Sequence, residues 1–232
     1  MRNSYKYKID SAQNFVKKLL SKSKTTNYIS ILLSNQGKKS TVLPKKYINY
    51  DLIAGFGKLD EIKCNKDSFQ ALRTFHSQHS DWMFGYLSYD LKNEIENVVS
   101  KNWDEINANN ISFFVPKYVF LLKDNVLEVL TFQPKGRVDI LINSLSLLNP
   151  QKRHRIHLEQ RESKEEYLHK ISKIKKHIQR GDIYEMNYCL EYFSNDVLLN
   201  AEDLFLNLNN ISKTPFAAFL HINEHYVLCA SP

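Results

Sequence analysis

The sequence predicts an α+β protein whose sheet is at least partly antiparallel. Three observations carry that reading. Apolar residues recur at helical spacing in some segments and in short strand-length runs in others, and the two kinds of segment alternate along the chain. Two apolar runs between Tyr118 and Phe132 flank Asp124 and Asn125, a pair that tolerates positive φ and closes an antiparallel hairpin. With 43% hydrophobic and 12% aromatic residues among 232, the chain fills a core without staples, which excludes disorder as the state of the whole molecule.

In chain order, Ser11 caps a helix whose Phe15, Val16, Leu19 and Leu20 share one face, and Tyr28 to Leu33 follows as a strand. Asp51 to Phe56 reads as a strand, Lys66 to His79 as a helix and Trp82 to Tyr89 as a strand. After the Tyr118–Phe132 hairpin, Val138 to Leu148 is helical. Asn149-Pro150 and the basic run behind it form a linker at 149–162, dividing a region 1–148 from a region 163–232.

Ser163-Lys-Glu-Glu166 is a capping box, in which a hydroxyl and a carboxylate each satisfy an orphan amide of the first helical turn. The helix carries Tyr167, Ile171, Ile174 and Ile178 as a stripe and stops at Gly181. From Ile183 the period changes to two, which predicts a strand with Tyr184, Met186, Tyr188, Leu190 and Tyr192 on one face. Glu185 and Asn187 fall on the other face, as lining of a pocket or as solvated surface. A helix over 201–209 and a hairpin of Phe216–His221 with Tyr226–Ala230 complete the chain. An apolar strand so close to Pro232 would be a bare sheet edge, and the sequence reads as a fragment.

Several chemistries lack their residues. Three widely spaced cysteines with no C-x-x-C offer neither a disulfide framework nor a thiolate zinc site. Gly55-Phe-Gly57-Lys58 lacks the further glycine and hydroxyl of a phosphate loop, and no G-x-S-x-G elbow is present. The pairs His76/His79 and His154/His157 have no third ligand at recognised spacing, so no metal site is expected within this chain. Without a signal-like start or a spanning apolar run, a cytoplasmic protein is expected. The net charge of +7 favours anionic partners, but the basic residues are dispersed and Lys152–Arg161 has no interleaved aromatics, so nucleic acid is not an expected partner.

Four short motifs in order, Gly85-Tyr-Leu-Ser-Tyr-Asp90, Gly181-Asp-Ile-Tyr-Glu-Met-Asn187, Thr214-Pro-Phe216 and Ala230-Ser-Pro232, make the chain resemble chorismate-utilising enzymes, and among them aminodeoxychorismate synthase component I. Anthranilate synthase component I is the alternative; a non-catalytic truncated module that keeps a docking or ligand-pocket surface is another. The resemblance implies two largely antiparallel sheets packed face to face with outer helices, incomplete at the C-terminus. It implies amination of chorismate at C4 with ammonia from a glutaminase subunit, and Mg2+ on the substrate carboxylate. The magnesium glutamates and the attacking lysine of the family lie downstream of its Ser-Pro-Glu, so no catalytic residue is expected here and this chain alone should be inactive.

The resemblance also implies an accessory, tryptophan-type pocket with hydrogen bonds from Ser34 and Tyr47 and an indole against Pro215 and Phe216. Leu33 stands where an acid is common, and Ile48 and Asn49 replace a usual Ser and Arg or Lys. Loss of the acid leaves a ligand ammonium without its counter-charge, so the pocket is expected to be filled by side chains or to bind tryptophan weakly.

Overall fold

The structure, a computed structural model, describes residues 1–35, 49–96, 98, 102–147 and 156–231. The chain forms two compact units, Met1–Pro150 with Ala201–Pro232 and Gln151–Asn200.

The first unit opens with β1 (Asn3–Lys8), in which Tyr5 and Tyr7 turn towards the core while Lys6 and Lys8 stay exposed. α1 (Ala12–Ser21) starts at Ser11, whose hydroxyl accepts from the Asn14 amide, and buries the predicted four apolar residues. β2 (Tyr28–Leu33) and β3 (Leu52–Cys64) pair antiparallel. α2 (Ser68–His79), β4 (Phe84–Leu87), β5 (Ile111–Lys123) and β6 (Val126–Thr131) follow. Asp124 and Asn125 both take positive φ, 49° and 61°, in the β5–β6 turn, as their side chains allow. α3 (Lys135–Asn143) begins earlier than the apolar run suggests, directly after Pro134.

The second unit contains β7 (Glu159–Gln160), α4 (Lys164–Arg180) and β8 (Tyr192–Phe193). Both halves of the capping box are present, and Gly181 ends α4 at φ 82°. The strand predicted from Ile183 does not form: 183–191 is irregular, and only Tyr192 and Phe193 pair, with Gln160 and Glu159. Alternation alone cannot hold a strand whose amides find no neighbouring ladder. Tyr184 is accordingly 93% exposed. The unit is held by polar and ring contacts: Tyr188 Oη donates to Glu162 Oε2 at 2.5 Å, the Tyr167 and Tyr188 rings meet edge-on at 5.6 Å, and Arg161 bridges Glu191 while lying 3.9 Å from the Phe193 ring.

The chain re-enters the first unit through α5 (Ala201–Ile211), β9 (Phe216–Ile222) and β10 (His225–Ser231). One eight-stranded antiparallel sheet results, in the order β1-β6-β5-β3-β2-β9-β10, with β4 also on β5. The α+β class with an antiparallel sheet is as predicted; the described strands form this large sheet and the two-stranded β7–β8 ribbon.

Helices α1, α3 and α5 cover one face. Leu19, Leu20 and Phe205 are fully buried there against Ile29, Ile31, Phe120, Leu122 and Phe219, each worth roughly 1.5–3 kcal/mol of transfer free energy. The other face gathers Tyr28, Phe84, Phe114, Val119, Leu121, Leu220 and Ile222. The start of the chain is clamped by Arg2, 6% exposed, which forms an ion pair with Asp81 at 2.9 Å and donates to the Pro116 carbonyl at 2.6 Å. Tyr7 donates to Asp139 of α3 at 2.7 Å, and burial together with that carboxylate pushes its phenol up to about 12. Among the described residues no helix is long and apolar enough to cross a membrane.

Two predictions follow from these local constraints. A Cβ at Gly85 would lie 2.0 Å from the Ser112 carbonyl oxygen and 2.6 Å from Phe113 Cα, both backbone atoms of β5. Gly85→Ala therefore destabilises the first unit by about 1–3 kcal/mol or more in chemical denaturation; an unchanged midpoint would contradict the close β4–β5 approach. In the second unit, the backbone amide and hydroxyl of Ser163 hold the Glu166 carboxyl below its ordinary value of 4.5. A depressed folded pKa gives stability that is present above the ordinary value and lost as pH falls through the lowered one. Amide NMR of α4 should show its first turn fraying in that acid window, and Glu166→Gln, which still caps, should abolish the pH dependence.

Candidate functional site

A cavity of about 330 Å³ opens in the first unit where the start of α1, the end of β2, the start of β3 and the last turns of α5 converge. Its apolar lining includes Val16, Leu33, Leu52 and Leu206; its polar lining includes Ser34, Asn35, Asp51, Asn209 and Lys213. The β2–β3 ladder ends at the Leu33/Leu52 pair, and just beyond it the Ser34 amide still donates to the Asp51 carbonyl at 3.2 Å.

Asn35 then turns the chain at φ 49°, a conformation that asparagine adopts more readily than most residues. Its side chain ties the β2 end to α5 and the segment after it: Nδ2 donates to Asn209 Oδ1 at 2.5 Å and to the Thr214 carbonyl at 2.9 Å, and Asn209 Nδ2 donates back to Asn35 Oδ1 at 3.3 Å. Asp51 is fixed from two sides. Its amide donates to the Leu122 carbonyl at 2.8 Å, and its Oδ2 accepts the Asp124 amide of the β5–β6 turn at 3.0 Å. Thr214 Oγ1 is buried with no hydrogen-bond partner among the described residues.

An apolar floor bordered by one carboxylate and one ammonium suits a small ligand that carries both charges and an apolar body. Among the described lining residues, Asp51 and Lys213 are the charged side chains.

The residues predicted from sequence are not brought together as one set. Ser34 lines the cavity; Tyr47 lies outside the described residues. Phe216 is 59% exposed at the start of β9, and the period of two places it on the sheet face opposite Ala217 and Phe219, away from the helices that wall the cavity. Pro215 is half-buried and does not line the cavity. Glu185 and Asn187 are exposed in the irregular segment of the second unit. Asp51 supplies a carboxylate to the cavity lining, and Lys213, Asn35 and Asn209, which also line it, had no sequence signal beyond their polarity.

No three His, Cys, Asp or Glu side chains among the described residues converge into a group able to hold a metal ion. The described residues therefore do not fit a Mg2+ site.

Comparison with known proteins places this geometry in context. A family model for chorismate binding enzymes matches residues 28–232. The fold superposes on the crystal structure of anthranilate synthase component I from Streptococcus pneumoniae TIGR4 with a TM-score of 0.62 and 17% identity, covering 85% of this chain and 53% of that one. The chain thus spans about half the length of that structure, and at this identity the likeness is one of fold. No significant match arises among curated proteins.

Proposed function

The chain belongs to the chorismate-binding enzyme family, and from that premise we propose that it is part of a chorismate-utilising enzyme of the aminodeoxychorismate synthase component I type. The single observation that carries the reading is the family match across 28–232. The branch is supported by Glu185-Met-Asn187-Tyr188 directly after Gly181-Asp-Ile-Tyr184, where the anthranilate branch tends to show Gln and two valines. The reaction would replace the C4 hydroxyl of chorismate with an amino group, using ammonia from a glutaminase subunit. Anthranilate synthase component I is the second reading, favoured by the fold likeness to that protein.

Within this division of labour the present residues supply scaffold and an accessory ligand site. The reacting groups and the Mg2+ that would steady the substrate carboxylate belong to polypeptide outside the half that this chain spans. At the cavity, Asp51 would accept from the ammonium of an amino acid, Lys213 would meet its carboxylate, and Val16, Leu33, Leu52 and Leu206 would hold its apolar side chain.

Purified 232-residue protein incubated with chorismate, ammonium and Mg2+ should form neither 4-amino-4-deoxychorismate nor anthranilate by mass spectrometry. Formation of the first by this chain alone would overturn the division of labour, and formation of the second would overturn the branch assignment as well. L-Tryptophan titrated calorimetrically should bind, and Asp51→Asn should weaken it by roughly 10-fold or more, the loss of one charge-assisted hydrogen bond. Equal affinity in the variant, or no heat at all, removes the accessory site.

A further inference from the structure

Helix α5, which walls one side of the cavity, is anchored unequally along its length. Its buried residues, Glu202 and Phe205, both lie in its first half. Glu202, 3% exposed, accepts from the hydroxyl of Ser23, which is fully buried in the 3₁₀ turn Lys22–Thr25 behind α1. The Ser23 carbonyl in turn meets Nδ1 of His221 in β9 at 3.1 Å; a carbonyl oxygen only accepts, so that ring nitrogen carries the proton. Tyr226 of β10 stacks on the His221 ring at 3.9 Å, and burial, with the Glu202 carboxylate nearby, pushes its phenol up. Phe205 meets Phe219 of β9 at 5.6 Å. The first turns of α5 are thus gripped from several sides at once.

The second half of the helix has no such grip. Residues 207–211 bury no side chain fully, and Ile211 is 88% exposed. What ties this end is the half-buried carboxamide pair of Asn209 and Asn35, with Asn35 also on the Thr214 carbonyl. A hydrogen bond within reach of water is exchanged for one to solvent at small net cost, whereas a buried donor or acceptor left unsatisfied costs its full desolvation penalty. The two ends therefore differ in how readily they part.

We propose that α5 is a hinged lid on the cavity: it pivots about Glu202 and Phe205, and its last turns swing away when the Asn35–Asn209 pair opens. The helix residues that line the cavity, Leu206, Asn209 and Asn210, all lie C-terminal to both pivot residues, and Lys213 follows the helix. The remaining apolar lining, Val16, Leu33 and Leu52, belongs to α1 and to the β2–β3 ladder, which stay in place. Opening therefore uncovers the apolar floor without breaking a strand pairing. The lid rests on the packing of α5 and depends neither on the chorismate reading nor on which ligand the cavity takes.

Native-state hydrogen exchange of the 232-residue protein, read by amide NMR, should show 209–212 exchanging roughly 10-fold or more faster than Phe205 and Leu206. Asn209→Ala should speed exchange at 210–212 by a further ~3- to 10-fold and leave 205 and 206 unchanged. Alanine is the better helix former, so simple fraying of the helix end would slow in this variant. Ser23→Ala should instead speed 205–212 as a whole, as should Phe205→Leu, a milder change at the same pivot. The cavity is probed directly with Cys64, Cys189 and Cys229 replaced by serine and Val16→Cys added: the new thiol should react with a maleimide faster when Asn209→Ala is present, by about the factor seen at the amides. Equal protection along 205–212, pivot variants that disturb only 209–212, or a thiol at 16 that is indifferent to Asn209→Ala overturns the proposal.

Discussion

The long ladder between β3 and β5 is the constraint on which the first unit depends. Each strand has 13 residues, and the pairing runs from Leu52/Leu122 to Cys64/Ile111 with one register shift between Lys58 and Asp60. Where this ladder is packed on both faces it admits little freedom of side-chain size. Gly55 shows the limit on one face, since a Cβ there would meet the Phe84 ring at 2.6 Å. Gly57 shows another: its φ of 67° sits beside the register shift, where a bulged strand takes up its extra twist. Because β5 also carries β4 and β6, and β3 also carries β2, the position of every other strand in the eight-stranded sheet follows from this one pairing.

Elements were legible where one local rule sufficed. α1 was readable because a cap and a helical stripe agree, and its four apolar residues are the ones buried. The β5–β6 and β9–β10 turns were readable because Asp, Asn and Asn-Glu mark them, and Asp124, Asn125 and Asn223 take positive φ. β1 was missed although its alternation of Tyr5 and Tyr7 with Lys6 and Lys8 is a strand signal; the two lysines and Arg2 in the first eight residues drew attention to charge instead. The first half of β5 was missed because Ile111–Val115 is buried on both faces and so lacks alternation. The opposite error fell on 183–191, which alternates well and forms no strand. Period is a property of the segment; a ladder also needs a neighbour.

The cavity was less legible for a geometric reason. Its polar residues come from three places far apart in sequence: Ser34 and Asn35 after β2, Asp51 before β3, and Asn209 and Lys213 at the end of α5. Only the antiparallel pairing of β2 with both β3 and β9 brings these ends to one side of the sheet. Ser34 could be nominated from the family resemblance. Asp51 was read only as the start of a strand, because the expected acid was sought at Leu33. Phe216 illustrates a different limit: proximity in sequence to Thr214 suggested a shared pocket, while the pleat sends its ring to the other face.

The same connectivity makes the cavity a junction between elements distant in sequence. Asn35 joins β2 to α5 and Thr214, and Asp51 joins β3 to the β5–β6 turn, so the lining couples segments that have no local reason to stay together. A ligand bridging Asp51 and Lys213 would bind only the assembled form, and binding restricted to the folded state raises stability in proportion to the logarithm of ligand concentration over its dissociation constant. The chain leaves this unit after α3 and returns at α5, so the elements held together at the cavity flank the excursion through the second unit. A ligand in the cavity would therefore favour the docking of α5, which follows that excursion, onto the ends of β2 and β3, which precede it.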